Sequence, residues 1–81
     1  MLTSYVQGAM RRAKYEILKD DKSFYGRVPG FRGVWANAAT HEECREELQE
    51  VLEEWLLFHI SRNMPVPVVD GVDLVFRPVT I

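Results

Sequence analysis

The sequence predicts an α+β domain in the order α-β-β-β-α-β, an antiparallel three-stranded meander plus a fourth strand packed on one long helix. Apolar residues alternate with a period of two through residues 14–38, the signature of half-buried strands. Between residues 40 and 62 the period lengthens to that of a helix. Turn-forming residues at 20–23 and 29–33 divide the first region into three strands.

The chain begins with a helix over residues 1–13, in which Leu2, Tyr5, Val6, Ala9, Met10 and Ala13 form one apolar stripe. Thr3 or Ser4 is placed to cap it, and Gly8 weakens it. A strand follows in which Tyr15 and Ile17 take one face and Lys14, Glu16 and Leu18 the other. The polar turn Asp20-Asp21-Lys22-Ser23 leads to a second alternating run, Phe24-Tyr25-Gly26-Arg27-Val28, and the pair forms a β-hairpin. Pro29-Gly30-Phe31-Arg32-Gly33 is a tight loop whose glycines suit positive φ. Val34-Trp35-Ala36-Asn37-Ala38 returns beside the second strand and completes the meander, residues 14–39.

Thr40-His41-Glu42-Glu43 has the T-x-x-E spacing of a capping box and starts the long helix, residues 40–62. Cys44, Leu48, Val51, Leu52, Trp55 and His59 recur on one face, with acids opposite. Leu56, Leu57, Phe58 and Ile60 widen the apolar surface beyond what one sheet covers, so the helix end needs a second partner, either the N-terminal helix or another subunit. Met64-Pro65-Val66-Pro67 ends the helix. A final strand is expected over residues 72–78, preceded by an Asp70-Gly71 type I′ turn that lets Val68 and Val69 pair back.

At 81 residues the chain has room for one domain with a small core. Cys44 is the sole cysteine, which excludes an intrachain disulfide and a thiolate metal cage, and its expected role is a small buried hydrophobe. Neither a leader peptide nor a membrane span is expected, which predicts a cytoplasmic protein. The net charge is −2, yet residues 40–62 hold seven acids against two bases, leaving the remainder at +3, mostly between Arg11 and Arg32.

No catalytic arrangement emerges, and the protein is expected to bind a macromolecule rather than catalyse a reaction, without a cofactor. The glycines lack phosphate-loop spacing. His41 and His59 lie roughly 27 Å apart along one helix and cannot share a metal. His41 is expected to be exposed, and His59 to pack beside Trp55. Tyr25 and Trp35, on neighbouring strands, suit cross-strand packing better than base stacking. The residues expected to meet a partner are Glu46, Glu50, Glu53 and Trp35, and those expected to form a homo-oligomer interface are Leu57, Phe58 and Ile60.

At Tyr25-Gly26, at Pro29 through Trp35 and at Thr40-His41-Glu42-Glu43-Cys44, the chain resembles the HicB-like antitoxins. That family shows a glycine-aromatic strand, a P-x-x-x-G loop and T-x-E-E-A opening a long helix; here Cys44 stands where alanine is usual. The similarity extends over residues 15–67 and includes the proline-containing exit. It implies a truncated ribonuclease-H-like fold and a role in neutralising HicA, a small mRNA-cleaving toxin with a double-stranded-RNA-binding fold. Two departures from the family pattern are an additional N-terminal helix and the lack, up to Ile81, of the C-terminal DNA-binding module many members carry. Operator binding is therefore not expected. Nor does the fold imply nuclease activity, because two-metal cleavage needs converging carboxylates and the strands offer only Glu16 and Asp73. RNA incubated with the protein and magnesium or manganese should stay intact. Metal-dependent cleavage that disappears in Glu16→Gln would contradict this expectation.

Overall fold

The computed structural model describes residues 2–71. Helix α1 (Leu2–Arg11) leads into strands β1 (Lys14–Ile17), β2 (Phe24–Arg27) and β3 (Trp35–Ala38), and helix α2 (His41–Ser61) follows. The strands pair antiparallel in sequence order, with Tyr15 opposite Gly26 and Gly26 opposite Ala36. This is the expected meander. The fourth strand expected at 72–78 lies outside the described residues.

Alternation along the strands gives the sheet two unlike faces. Tyr15, Ile17, Phe24, Gly26, Ala36 and Ala38 share the face that α2 covers, while Lys14, Glu16, Tyr25, Arg27, Trp35 and Asn37 share the other. Gly26 sets the distance between layers. A Cβ there would stand 2.9 Å from the Tyr15 ring and 3.1 Å from Cys44 Sγ. Cys44, fully buried, directs its thiol at the Ala36 carbonyl, 3.6 Å away. Small side chains at Gly26, Ala36 and Cys44 thus bring the first turns of α2 close to β2 and β3. Further along, Leu48, Leu52 and Leu56 are buried on the same side, each worth about 1.5–3 kcal/mol.

Ile17 departs from the expected pattern. It shares the inner face with Tyr15 but is 61% exposed. β1 is an edge strand of the three described, and Ile17 pairs with Phe24 at the hairpin end. The His41 ring at the start of α2 covers Tyr15 (4.5 Å between ring centroids) and Phe24 (5.8 Å), while Ile17 stays exposed.

The connections are fixed by specific bonds. Ser23 donates from its amide and hydroxyl to Asp21 Oδ1, an Asx-type turn that holds the Asp21 carboxyl below its ordinary range. In the β2–β3 loop, Gly30 and Gly33 take φ of 88° and 85°, as the sequence suggested. Phe31 between them is buried edge-on against Trp55 (5.2 Å) and Tyr5 (6.2 Å), and Trp55 Nε1 donates to the Arg32 carbonyl at 3.0 Å.

Thr40 caps α2, its hydroxyl accepting from the Glu43 amide at 3.1 Å. The other end closes on Asn63 at φ 55°, with Met64 N–H donating to the His59 carbonyl and Asn63 N–H to Ile60, a Schellman motif. Asn63 therefore terminates the helix ahead of the prolines. At α1 the expected caps Thr3 and Ser4 lie inside the helix, which begins at Leu2.

Helix α1 supplies the second partner that α2 requires. Its stripe of Tyr5, Val6, Ala9 and Met10 is buried, and residues 66–70 return across it. The Tyr5 hydroxyl donates to the Pro67 carbonyl, and Arg11 and Arg12 both bridge to Asp70, at 3.1 and 3.3 Å. Asp70 and Gly71 take φ of 49° and 77°, the positive values a type I′ turn needs. Gly8 is what allows this crossing, because a Cβ would meet Asp70 Oδ2 at 2.6 Å and Val69 Cγ1 at 2.8 Å.

Two substitutions test these contacts. Thr40→Ala should lower unfolding free energy by about 0.5–2 kcal/mol in a denaturant titration. In Gly8→Ala, the roughly 1 kcal/mol gained in helix propensity opposes an overpacking cost of about 1–3 kcal/mol. Net destabilisation is expected; a higher melting temperature would show that residues 69–70 move aside without cost.

Candidate functional site

Two exposed surfaces could engage a partner, and they lie on opposite sides of the layered fold. The first is the outer surface of α2. Glu46, Glu50 and Glu53 are spaced i, i+4 and i+7, which sets them on one stripe, and all three are exposed. Leu57 and Ile60 continue the same stripe by a further turn and more. Leu57 is 66% exposed, whereas Ile60 is half-buried, and with Leu2, Val6, Leu56 and Glu53 these residues line a groove of about 140 Å³ between α1 and α2. The stripe is thus acidic in its first half and apolar in its second. Phe58 projects about 100° away from Leu57, where Arg62 lies over its ring at 4.6 Å. The three apolar residues expected at an oligomer interface therefore do not form one patch.

The second surface is the sheet face opposite α2. Cross-strand pairing forms one row of Lys14, Arg27 and Trp35, and a second of Glu16, Tyr25 and Asn37. Tyr25 and Trp35, diagonal neighbours, stack at 6.0 Å with planes 23° apart. Asn37 is held by donating to Ser23 Oγ and the Phe24 carbonyl. Concavities of about 460 and 230 Å³ lie to either side of Tyr25 and Arg27. Trp35 accordingly sits apart from Glu46, Glu50 and Glu53, with the sheet between them. The alternation in each strand marks these six residues as sharing a side; the row of two cations and a tryptophan depends on register, which alternation alone leaves open.

The titratable groups are built for packing. His59 stacks on Trp55 at 3.6 Å and its Nδ1 donates to the Trp55 carbonyl at 2.9 Å, as expected of a packing histidine. His41 is exposed, as expected, yet its ring edges onto Tyr15 and Phe24. Burial, aided by Glu47, pushes the Cys44 thiol above its ordinary 9.0, against the pull of a Gly26 backbone hydrogen bond. A neutral buried thiol is a poor nucleophile. Burial likewise raises Tyr15 above 10.0, partly offset by Arg45. Among the described residues, no group of three or more His, Cys, Asp or Glu could hold a metal ion, and no helix is long and apolar enough to cross a membrane.

These two shifts set a pH dependence. Both groups are held neutral in the fold, so their contribution is complete below the unfolded values and is lost as pH rises through the folded ones. The melting temperature should fall as pH passes about 9, the thiol's ordinary value. Cys44→Ala should flatten the first part of that fall, leaving the later part from Tyr15. An unchanged profile in Cys44→Ala would contradict the assignment.

A model of the UPF0150-like family matches residues 4–67. The crystal structure of TTHA0281 from Thermus thermophilus is similar over 95% of each chain, with 40% sequence identity and a TM-score of 0.87. No curated protein matches the chain significantly. The family match begins within α1, so this helix is part of the shared domain, and the expectation of an additional helix is corrected.

Proposed function

The chain belongs to the UPF0150-like family, that of the HicB-like antitoxins, and on that premise we propose that it neutralises a small HicA-type mRNA-cleaving toxin by occlusion. The observation that carries this reading is the acidic stripe of α2. A protein that cleaves RNA must present positive charge to phosphates. Glu46, Glu50 and Glu53, with the other acids of α2, offer that surface a competing anion. They stand on a rigid, capped helix, which holds the charges in fixed register. Binding there covers the toxin's RNA-contacting surface and needs no catalysis by the antitoxin.

The groove between α1 and α2 supports a second reading, homo-oligomerisation, with a dimer as the simplest symmetric form. Leu57 and Leu2 are 66% and 46% exposed beside Val6 and Ile60 in a domain with little core to spare. Leu57→Glu should convert a dimer to a monomer in light scattering without altering the strands. A wild-type monomer at micromolar concentration would contradict this second reading.

The toxin reading is tested with a purified HicA-type toxin, the first candidate being any toxin-sized reading frame found beside the coding region. Stoichiometric addition should abolish its RNA cleavage. Glu46→Lys with Glu50→Lys should slow association on the order of tenfold at low salt, and less at high salt, while hardly changing stability. Full inhibition with association rates unaffected by the reversal would move the interface elsewhere, and an absence of inhibition would refute the function.

A further inference from the structure

We infer that the bare face of the sheet is a binding site for single-stranded nucleic acid, separate from the acidic face of α2. The pairing register sets Lys14, Arg27 and Trp35 side by side across three strands, with Tyr25 stacked on Trp35 from the neighbouring row. Trp35 is 53% exposed although the domain has little apolar surface to spare, and no described element packs over this side. Arg32, in the β2–β3 loop, adds a third cation at the rim of the larger concavity. None of these three cations pairs with a carboxylate among the described residues, whereas Arg11 and Arg12 both do. Glu16 is the one acid in the two rows.

Aromatic rings beside unpaired cations are the combination that holds single strands, because every base has a π-face and every linkage a phosphate. A duplex keeps its bases stacked inside and cannot use the rings. An acidic peptide would use the cations and leave the exposed part of the Trp35 ring uncovered. The two concavities flanking Tyr25 and Arg27 give an extended strand a path across the face. Base stacking and phosphate contacts are common to both polymers, so RNA and DNA single strands should bind alike.

Fluorescence anisotropy with a labelled oligouridylate of roughly 10 nucleotides tests the site, since single-strand footprints run from ~4 to 16 nucleotides. Saturable binding at low salt is expected, with oligothymidylate competing equally and a duplex of the same length competing poorly. Trp35→Ala should weaken binding about tenfold, and Arg27→Glu should weaken it and lower the salt slope by at least about 0.7. Both variants should keep the wild-type melting temperature to within a few degrees, which certifies the fold. Glu46→Lys with Glu50→Lys should not weaken RNA binding, so the outcome is independent of any toxin contact on α2. The inference is overturned if no binding is seen at protein concentrations on the order of 10⁻⁴ M. Binding unaltered in Trp35→Ala would equally overturn it, as would polyglutamate displacing the RNA as well as unlabelled oligouridylate does, which would mark an acidic protein as the occupant.

Discussion

The first turns of α2 can lie against the sheet because three small side chains, Gly26, Ala36 and Cys44, meet where the layers are closest. That approach turns the face of Leu48, Leu52 and Leu56 inward, where all three are buried, and carries Trp55 to the β2–β3 loop. A larger residue at position 26 would collide with the Tyr15 ring and lift the helix from the sheet. The alanine usual in the family at the position of Cys44 obeys the same limit on volume, and burial keeps the thiol protonated and inert.

The close layer has a consequence at the far end of the helix. α2 is 21 residues long, about 30 Å, while the strands are four residues each. The helix outruns the sheet, and its last turns require other cover. Phe31 reaches across from the loop, α1 lies beside Leu56 and Ile60, and residues 66–70 pass over Gly8 to close the layer. Tyr5, fully buried, joins these parts through its edge contact with Phe31 and its bond to the Pro67 carbonyl. What stays uncovered, Leu57 and Leu2 in particular, is the remainder left by a long amphipathic helix on a short sheet.

Much of this architecture was legible in the sequence, because it rests on local signals. The T-x-x-E box placed the start of α2 at Thr40, and alternation placed all three strands. The stripe on α1 and the excess apolar surface near Leu56 together pointed to the pairing of the two helices. Non-local facts were hidden. Ile17 alternates correctly yet is exposed at the hairpin end of β1, and Gly8 looked like a weak point although it is a crossing point. Asn63 ends α2 through a left-handed turn that the nearby prolines obscured. For the candidate sites, the acids of α2 followed from helical spacing alone. The row of Lys14, Arg27 and Trp35 depends on strand register, which no local pattern specifies.

The layered fold thus divides charge between its two sides. The surface of α2 is anionic and suits a basic protein, and the bare sheet is cationic and aromatic. The toxin-binding account rests on the first of these. Its most direct test is chemical-shift mapping of the isotope-labelled protein titrated with a purified HicA-type toxin. The account predicts that the largest perturbations fall on Glu46, Glu50, Glu53 and their neighbours along α2, with Arg27 and Trp35 little changed. Perturbations concentrated on β2 and β3, with the α2 stripe silent, would contradict it.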